Sequence, residues 1–145
     1  MRVQGSFEVK VTPQTPDNAP ARSAGLARLS LDKRFHGPLE GSSQGEMLAD
    51  GDGSKRDGAY VAMERFAGTL DGRTGGFALV HRALMRDRTP EQWTVTVVPG
   101  SGTGALAGLE GEMRIRVEDG KHIYALDYTL PERAQEGTHD PASSS

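Results

Sequence analysis

An all-β fold is what this sequence predicts, and three observations lead to it. The 145-residue chain carries 19 glycines and 8 prolines. They fall about every ten residues between short runs that alternate apolar with polar side chains, the rhythm of a sandwich or barrel. No stretch of ordinary helix length keeps apolar residues at i, i+3, i+4 and i+7 without a glycine or proline breaking it, so one or two helical turns are the most expected. Period-two alternation picks out eight strands. Sequential strands with one apolar and one polar face close most simply into an antiparallel up-and-down β-barrel, which leaves no open edge and encloses a lumen.

The first strand, Arg2 to Thr12, sets Val3, Phe7, Val9 and Val11 on one face against Arg2, Gln4, Glu8 and Lys10 on the other. The segment PQTPDNAPARSAG at 13–25 reads as a long surface loop, with a ligand-gating role and plain disorder both open. The second strand, Leu26 to Phe35, aligns Leu29, Leu31, Lys33 and Phe35, so Lys33 is the odd member of an apolar face. His36, Gly37 and Pro38 turn the chain into a third strand, Leu39 to Ala49. After the charged, glycine-rich loop DGDGSKRDG comes a fourth, Ala59 to Leu70, and Asp71 with Gly72 signals a hairpin into the fifth, Gly75 to Met85.

The sixth strand, Gln92 to Val98, carries Trp93, Val95 and Val97 on one face. The glycines of the following stretch, VVPGSGTGALAGLEG, imply special backbone angles or close contacts. Its Gly100–Gly104 run has neither the lysine nor the following helix of a phosphate-binding loop, and a structural crossover is the expectation. Strands seven and eight, Glu112 to Glu118 and Lys121 to Leu130, meet at Asp119 and Gly120. A two-residue loop there pairs Val117 with His122, Ile115 with Tyr124, Met113 with Leu126 and Gly111 with Tyr128, which turns that set inward. Beyond Pro131 the tail has no apolar residue worth burying. The chain therefore divides into one barrel domain, 1–131, and a tail expected to be disordered, 132–145.

Bulk composition narrows the chemistry. With no cysteine there is no disulfide framework, thiolate zinc site or cysteine nucleophile. The net charge of -3 comes from 17 basic and 20 acidic residues scattered along the chain, which gives no electrostatic footprint for nucleic acid. The N-terminus alternates instead of forming a continuous apolar run, and no later stretch reaches the ~18 apolar residues of a membrane span, so a cytoplasmic protein is expected.

Three segments carry a family resemblance: LDKRFHGPLEGSSQGEML, YVAMERFAGTLDGRTGGFALVHRALM and VVPGSGTGALAGLEGEMRIRVEDGKHIYALDYTL. Together they resemble the bacterial family called domain of unknown function 3224, over about Arg2 to Leu130. The resemblance implies the barrel of plant allene oxide cyclase, similar also to dirigent proteins, which steer radical coupling in a shaped cavity. It leaves homo-oligomers open, and it implies that Pro99 to Gly111 crosses between neighbouring strands. One departure falls in HRALM at 81–85, where a bare alanine, Ala83, stands two places after the histidine. A fold hosts many functions, so no activity follows from the resemblance.

Among candidate site residues, Glu64 and His81 lead. A four-residue connection from Asp71 to Thr74 sets them directly opposite, and a two-residue one shifts them by one diagonal on the same face. Beside Phe66, Phe77 and Leu79 such a pair suits proton transfer in an isomerisation, or it simply satisfies itself as a buried pair. Lys33 is the second inward charge and needs a carboxylate, with Glu64 or Glu46 the candidates, unless it snorkels to the rim. In a lumen it could form a Schiff base or anchor an anion. His122, Tyr124 and Tyr128 share the inward face with Trp93, either orienting a ligand or serving as core. His81, His122 and Glu64 suit a metal by type but lie on separate strands without compact spacing, so no metal or cofactor is expected. The reading is a barrel binding a small hydrophobic or amphipathic molecule, with a cofactor-free isomerase or cyclase and a solid barrel acting through oligomer contacts as rivals. Outward-facing Ile123 and Ala125 hint at such a contact.

Overall fold

Turn chemistry sets the hairpins from which the barrel is built. In the computed structural model Asp71 and Gly72 have φ of 50° and 81°, and Asp119 and Gly120 have 50° and 78°. Two left-handed central residues match the twist of the flanking strands. The structure describes residues 1–50 and 57–131. The tail at 132–145, expected to be disordered, and residues 51–56 of the charged loop lie outside the described residues.

Within the described residues the elements are β1 (Arg2–Gln14), α1 (Ala19–Ala24), β2 (Ala27–His36), β3 (Leu39–Asp50), β4 (Gly58–Leu70), β5 (Arg73–Arg86), β6 (Thr89–Val97), β7 (Thr103–Gly104), β8 (Glu110–Glu118) and β9 (Lys121–Thr129). Eight of the strands close an antiparallel barrel in the order β1, β2, β3, β4, β5, β6, β8, β9, with β9 returning to β1. β7 is the addition to the expected strands. It lies in the glycine-rich crossover and extends the edge of β5 where β6 has ended, pairing Gly75 with Gly104 and Gly76 with Thr103.

Two expectations need correction. The segment at 13–25 is not all loop: β1 continues to Gln14, and Ala19–Ala24 form a short helix. The Asn18 side chain accepts from the Ala21 N–H at 2.9 Å, a proline sits in the first turn and Gly25 closes the helix in the left-handed region. The prolines that read as loop punctuation include one that starts this helix. The sixth strand begins at Thr89 rather than Gln92, because Asp87 and Arg88 adopt φ of 52° and 66° and form a two-residue turn without a glycine.

The inward faces are those the alternation predicts, but they fill the lumen unequally. Toward the end formed by the close of β4 and the start of β5, Leu39, Leu70, Phe77, Leu106 and Leu109 are fully buried. The crossover after β6 delivers Leu106 and Leu109, and it is stitched to β5 by Ala105 N donating to Thr74 O at 2.8 Å and Ala78 N to Ser101 Oγ at 2.9 Å. This segment is therefore a plug as well as a crossover. Tyr124 crosses the lumen above it. Its hydroxyl accepts from Leu39 N at 3.0 Å and donates to His36 O at 3.0 Å, which ties β9 to the β2–β3 turn. Gly5 makes this reach feasible, since a Cβ there would overlap the Tyr124 hydroxyl and His36 O.

The barrel closes where β1 meets β9, in register from Arg2 opposite Asp127 to Phe7 opposite His122. Ala125 on the outer face of β9 is only 8% exposed. No helix among the described residues is long and apolar enough to cross a membrane.

Candidate functional site

Four consecutive strands each contribute one polar side chain to the interior: Lys33 from β2, Ser43 from β3, Glu64 from β4 and His81 from β5. All four are buried. Ladder register brings them together. Lys33 stands opposite Ser43, Glu64 stands opposite Leu79, and His81 stands opposite Ala62, one diagonal step from Glu64. This is the offset expected of a two-residue turn at Asp71 and Gly72. β3 passes close over Glu64 because position 45 is glycine, where a Cβ would overlap Met63 O and crowd Glu64 itself.

Glu64 is the hub. Its Oε2 accepts from Lys33 Nζ at 2.8 Å and touches His81 Nε2, while Oε1 accepts from the Ser43 hydroxyl. His81 Nε2 makes this ion-pair contact without hydrogen-bond alignment and has no other partner among the described residues. Burial by itself would raise the Glu64 carboxyl. The His81 contact, the Lys33 charge and the Lys33 hydrogen bond overcome it and bring the group down to about 2. The cluster thus holds a fixed carboxylate. Lys33 does not snorkel to the rim: its ammonium stays inside, 5.0 Å from the Phe7 ring centroid. Glu46, the other carboxylate considered for it, faces outward and binds Arg28 at 2.8 Å.

Above the cluster, on the side away from the plug, the lumen is open. A cavity of about 250 Å³ there is lined by thirteen residues. Lys33 and His81 form part of its lining and Glu64 does not. The walls include Val9, Leu31 and Ile115, and the rim is marked by Val11, Trp93 and Val117, which are 45%, 37% and 60% exposed. An irregularity between β5 and β6 sits beside the rim. The register shifts between Arg82 and Leu84, Gln92 takes φ of 48°, and Trp93 is the next residue. Bulges re-aim side chains in this way beside sites. Among the described residues no group of three or more histidines and carboxylates is arranged to hold a metal ion.

A family model described as "Protein of unknown function (DUF3224)" matches residues 3–128. The chain belongs to the DUF3224 family. A crystal structure of a DUF3224 protein of unknown function from Shewanella oneidensis MR-1 is 42% identical, with a TM-score of 0.79, covering 90% of this chain and 98% of that one. Nothing among curated proteins matches the chain.

The other candidate residues divide between the two halves of this DUF3224 barrel. Trp93 and His122 line the cavity with Lys33 and His81, and the His122 ring lies 5.0 Å from that of Phe7. Phe66 and Phe77 are buried in the filled half, their ring centroids 5.0 Å apart. Tyr124 spends its hydroxyl on the β2–β3 turn. Tyr128 donates to Asp71 Oδ2 at the plugged end, where burial, that hydrogen bond and the Asp71 charge push it up to about 12. Sequence reading missed Ser43 and Tyr60. A signal for Ser43 existed in the inward run Leu39, Gly41, Ser43, Gly45, Met47, whose small residues leave room for side chains arriving from β4. Tyr60 lines the cavity, its hydroxyl raised by burial against a hydrogen bond from Trp93.

Proposed function

We propose that this protein binds a small molecule in the open mouth of its barrel. The observation that carries the reading is the cavity of about 250 Å³, apolar in its walls, with Lys33 and His81 at its polar side. Pockets for drug-sized ligands run from about 300 Å³ upward, so the occupant is smaller than those. The other half of the lumen is filled by the protein's own side chains and offers no such space. Proton-transfer chemistry through Glu64 has less support, because that carboxylate lies behind the cavity lining and is held by Ser43, Lys33 and His81 together. The likeness to the allene oxide cyclase and dirigent barrels belongs to this proposal as an analogy of shape and adds no reaction to it.

A thermal-shift screen of small amphipathic molecules tests the reading, run on the parent and on Val117→Trp. That substitution places bulk at an exposed rim position and leaves the buried cluster untouched. Binding to the native state raises its melting temperature. Compounds that stabilise the parent and not the variant are the expected result, and an absence of such compounds refutes binding at the mouth.

A further inference from the structure

Resting on that reading, we infer that the mouth cavity selects an anion, a small monocarboxylate with one ring or a short apolar chain, whose carboxylate is received by Lys33 and His81. The ionisable side chains among the lining residues are Lys33, His81, His122 and Tyr60, and no aspartate or glutamate is among them. The cluster's carboxylate is set behind that surface. A cation entering the cavity would meet an ammonium first, and a neutral ligand would leave a buried charge facing an apolar group.

The hydrogen-bond inventory points the same way. An ammonium carries three donors. Among the described residues Lys33 gives one to Glu64, and its other recorded interaction is with the face of Phe7. Two N–H groups of a residue only 6% exposed remain for the cavity side. On His81, Nε2 is taken up with Glu64, and Nδ1 has no partner among the described residues. Glu64 and Ser43 thereby hold the two basic groups in place without competing for the ligand. A carboxylate is planar with two acceptor oxygens, which suits the remaining N–H groups of Lys33 on β2 together with the Nδ1–H of a protonated His81 on β5, both of which reach Glu64 between them.

Register sets the length of the apolar part. Lys33 lies opposite Val9, and the rim residue Val11 lies two residues farther along β1. At about 3.3 Å per residue this leaves roughly 7 Å of wall between the ammonium and the rim. That depth accommodates one aromatic ring or a few carbons, and the rings of Tyr60, Trp93 and His122 face such a group.

Three matched probes decide the matter by calorimetry: 3-phenylpropanoate, its neutral amide and 3-phenylpropylamine. The acid is expected to bind at least about tenfold tighter than the amide, the strength of a charge-assisted hydrogen bond, with the amine weakest. Because Lys33→Met alone strands Glu64, the companion variant is Lys33→Met with Glu64→Gln, which removes both charges of the pair. In it the acid's advantage over the amide, read as the ratio of the two dissociation constants, should shrink toward parity. Amide or amine binding equal to or tighter than the acid in the parent, and blocked by Val117→Trp, overturns the anion preference and keeps the mouth as a site. Failure of all three probes on the parent counts against both the preference and the mouth. Acid selectivity that survives the double variant removes Lys33 and Glu64 from the account.

Discussion

The plugged end of the barrel and its mouth are made by the same strands, yet one is a filled core and the other an open cavity. At the plugged end Leu39, Leu70, Leu106 and Leu109 have no exposed surface, and Tyr124 and Tyr128 both spend their hydroxyls on the protein. At the mouth, Val11 of β1 and Val117 of β8 are 45% and 60% exposed, and Lys33 and His81 line an open cavity. The difference is one segment. A crossover between β6 and β8 folds back under one end and supplies two leucines, and no equivalent segment among the described residues covers the other. Stability and the proposed binding thereby fall at opposite ends, with the Lys33–Glu64–His81 cluster at the boundary.

The largest test falls on that boundary. Glu64→Gln leaves Lys33 buried without a counter-charge, and unfolding in urea should show a loss of about 3–5 kcal/mol. Pairing it with Lys33→Met should restore a large part, because the cost lies in the stranded charge. Leu106→Ala opens a hole in the plug and should cost about 2–5 kcal/mol while leaving ligand affinity at the mouth unchanged. A change in affinity of the same size as the stability loss would break the division between the ends.

Acid probes the cluster without a mutation. The Glu64 carboxyl is held at about 2 in the folded protein against an ordinary 4.5. The unfolded chain therefore takes up this proton first as pH falls. The contribution is full above pH 4.5 and is lost on going down to about 2, on the order of 3 kcal/mol. Stability curves measured from pH 6 to 2 should lose that part of their slope in the Lys33→Met, Glu64→Gln double variant. Tyr124→Phe removes the acceptor of the buried Leu39 N–H and should cost about 1–3 kcal/mol. Smallest of all, Val117→Ala at the rim should change stability by within about 0.5 kcal/mol, and a larger loss would mean that the mouth is packed rather than open.

Much of this was legible beforehand. Asp-Gly turns set hairpin register, which gave the β8–β9 pairing and left Glu64 and His81 either opposite or one diagonal apart, and the two-residue turn at Asp71 and Gly72 selects the diagonal. A lysine on an apolar face left a choice between a carboxylate partner, Glu64 or Glu46, and snorkelling to the rim, and the structure pairs it with Glu64. Height along the barrel axis was not legible. Period two says that Phe66, Phe77, Trp93 and His122 all point inward, but not which of them lie beside the plug. That depends on the stagger accumulated around the closed sheet and on where the crossover tucks in, both nonlocal properties. The Asp87–Arg88 turn escaped for a local reason, since its second residue adopts without a glycine the backbone that usually selects one.

The seam between β1 and β9 has a consequence for time rather than structure. Most of the other strand pairs in the barrel join sequence neighbours through short turns, whereas Arg2 and Asp127 meet from opposite ends of the described chain. Closing so long a loop carries its entropy before any contact repays it, and nonlocal pairing slows folding. The hairpins can zip early and independently, and closure of the ring must wait for them. Amide exchange along β1 and β9 would then report the last event of folding and, read in reverse, the first opening of the native barrel.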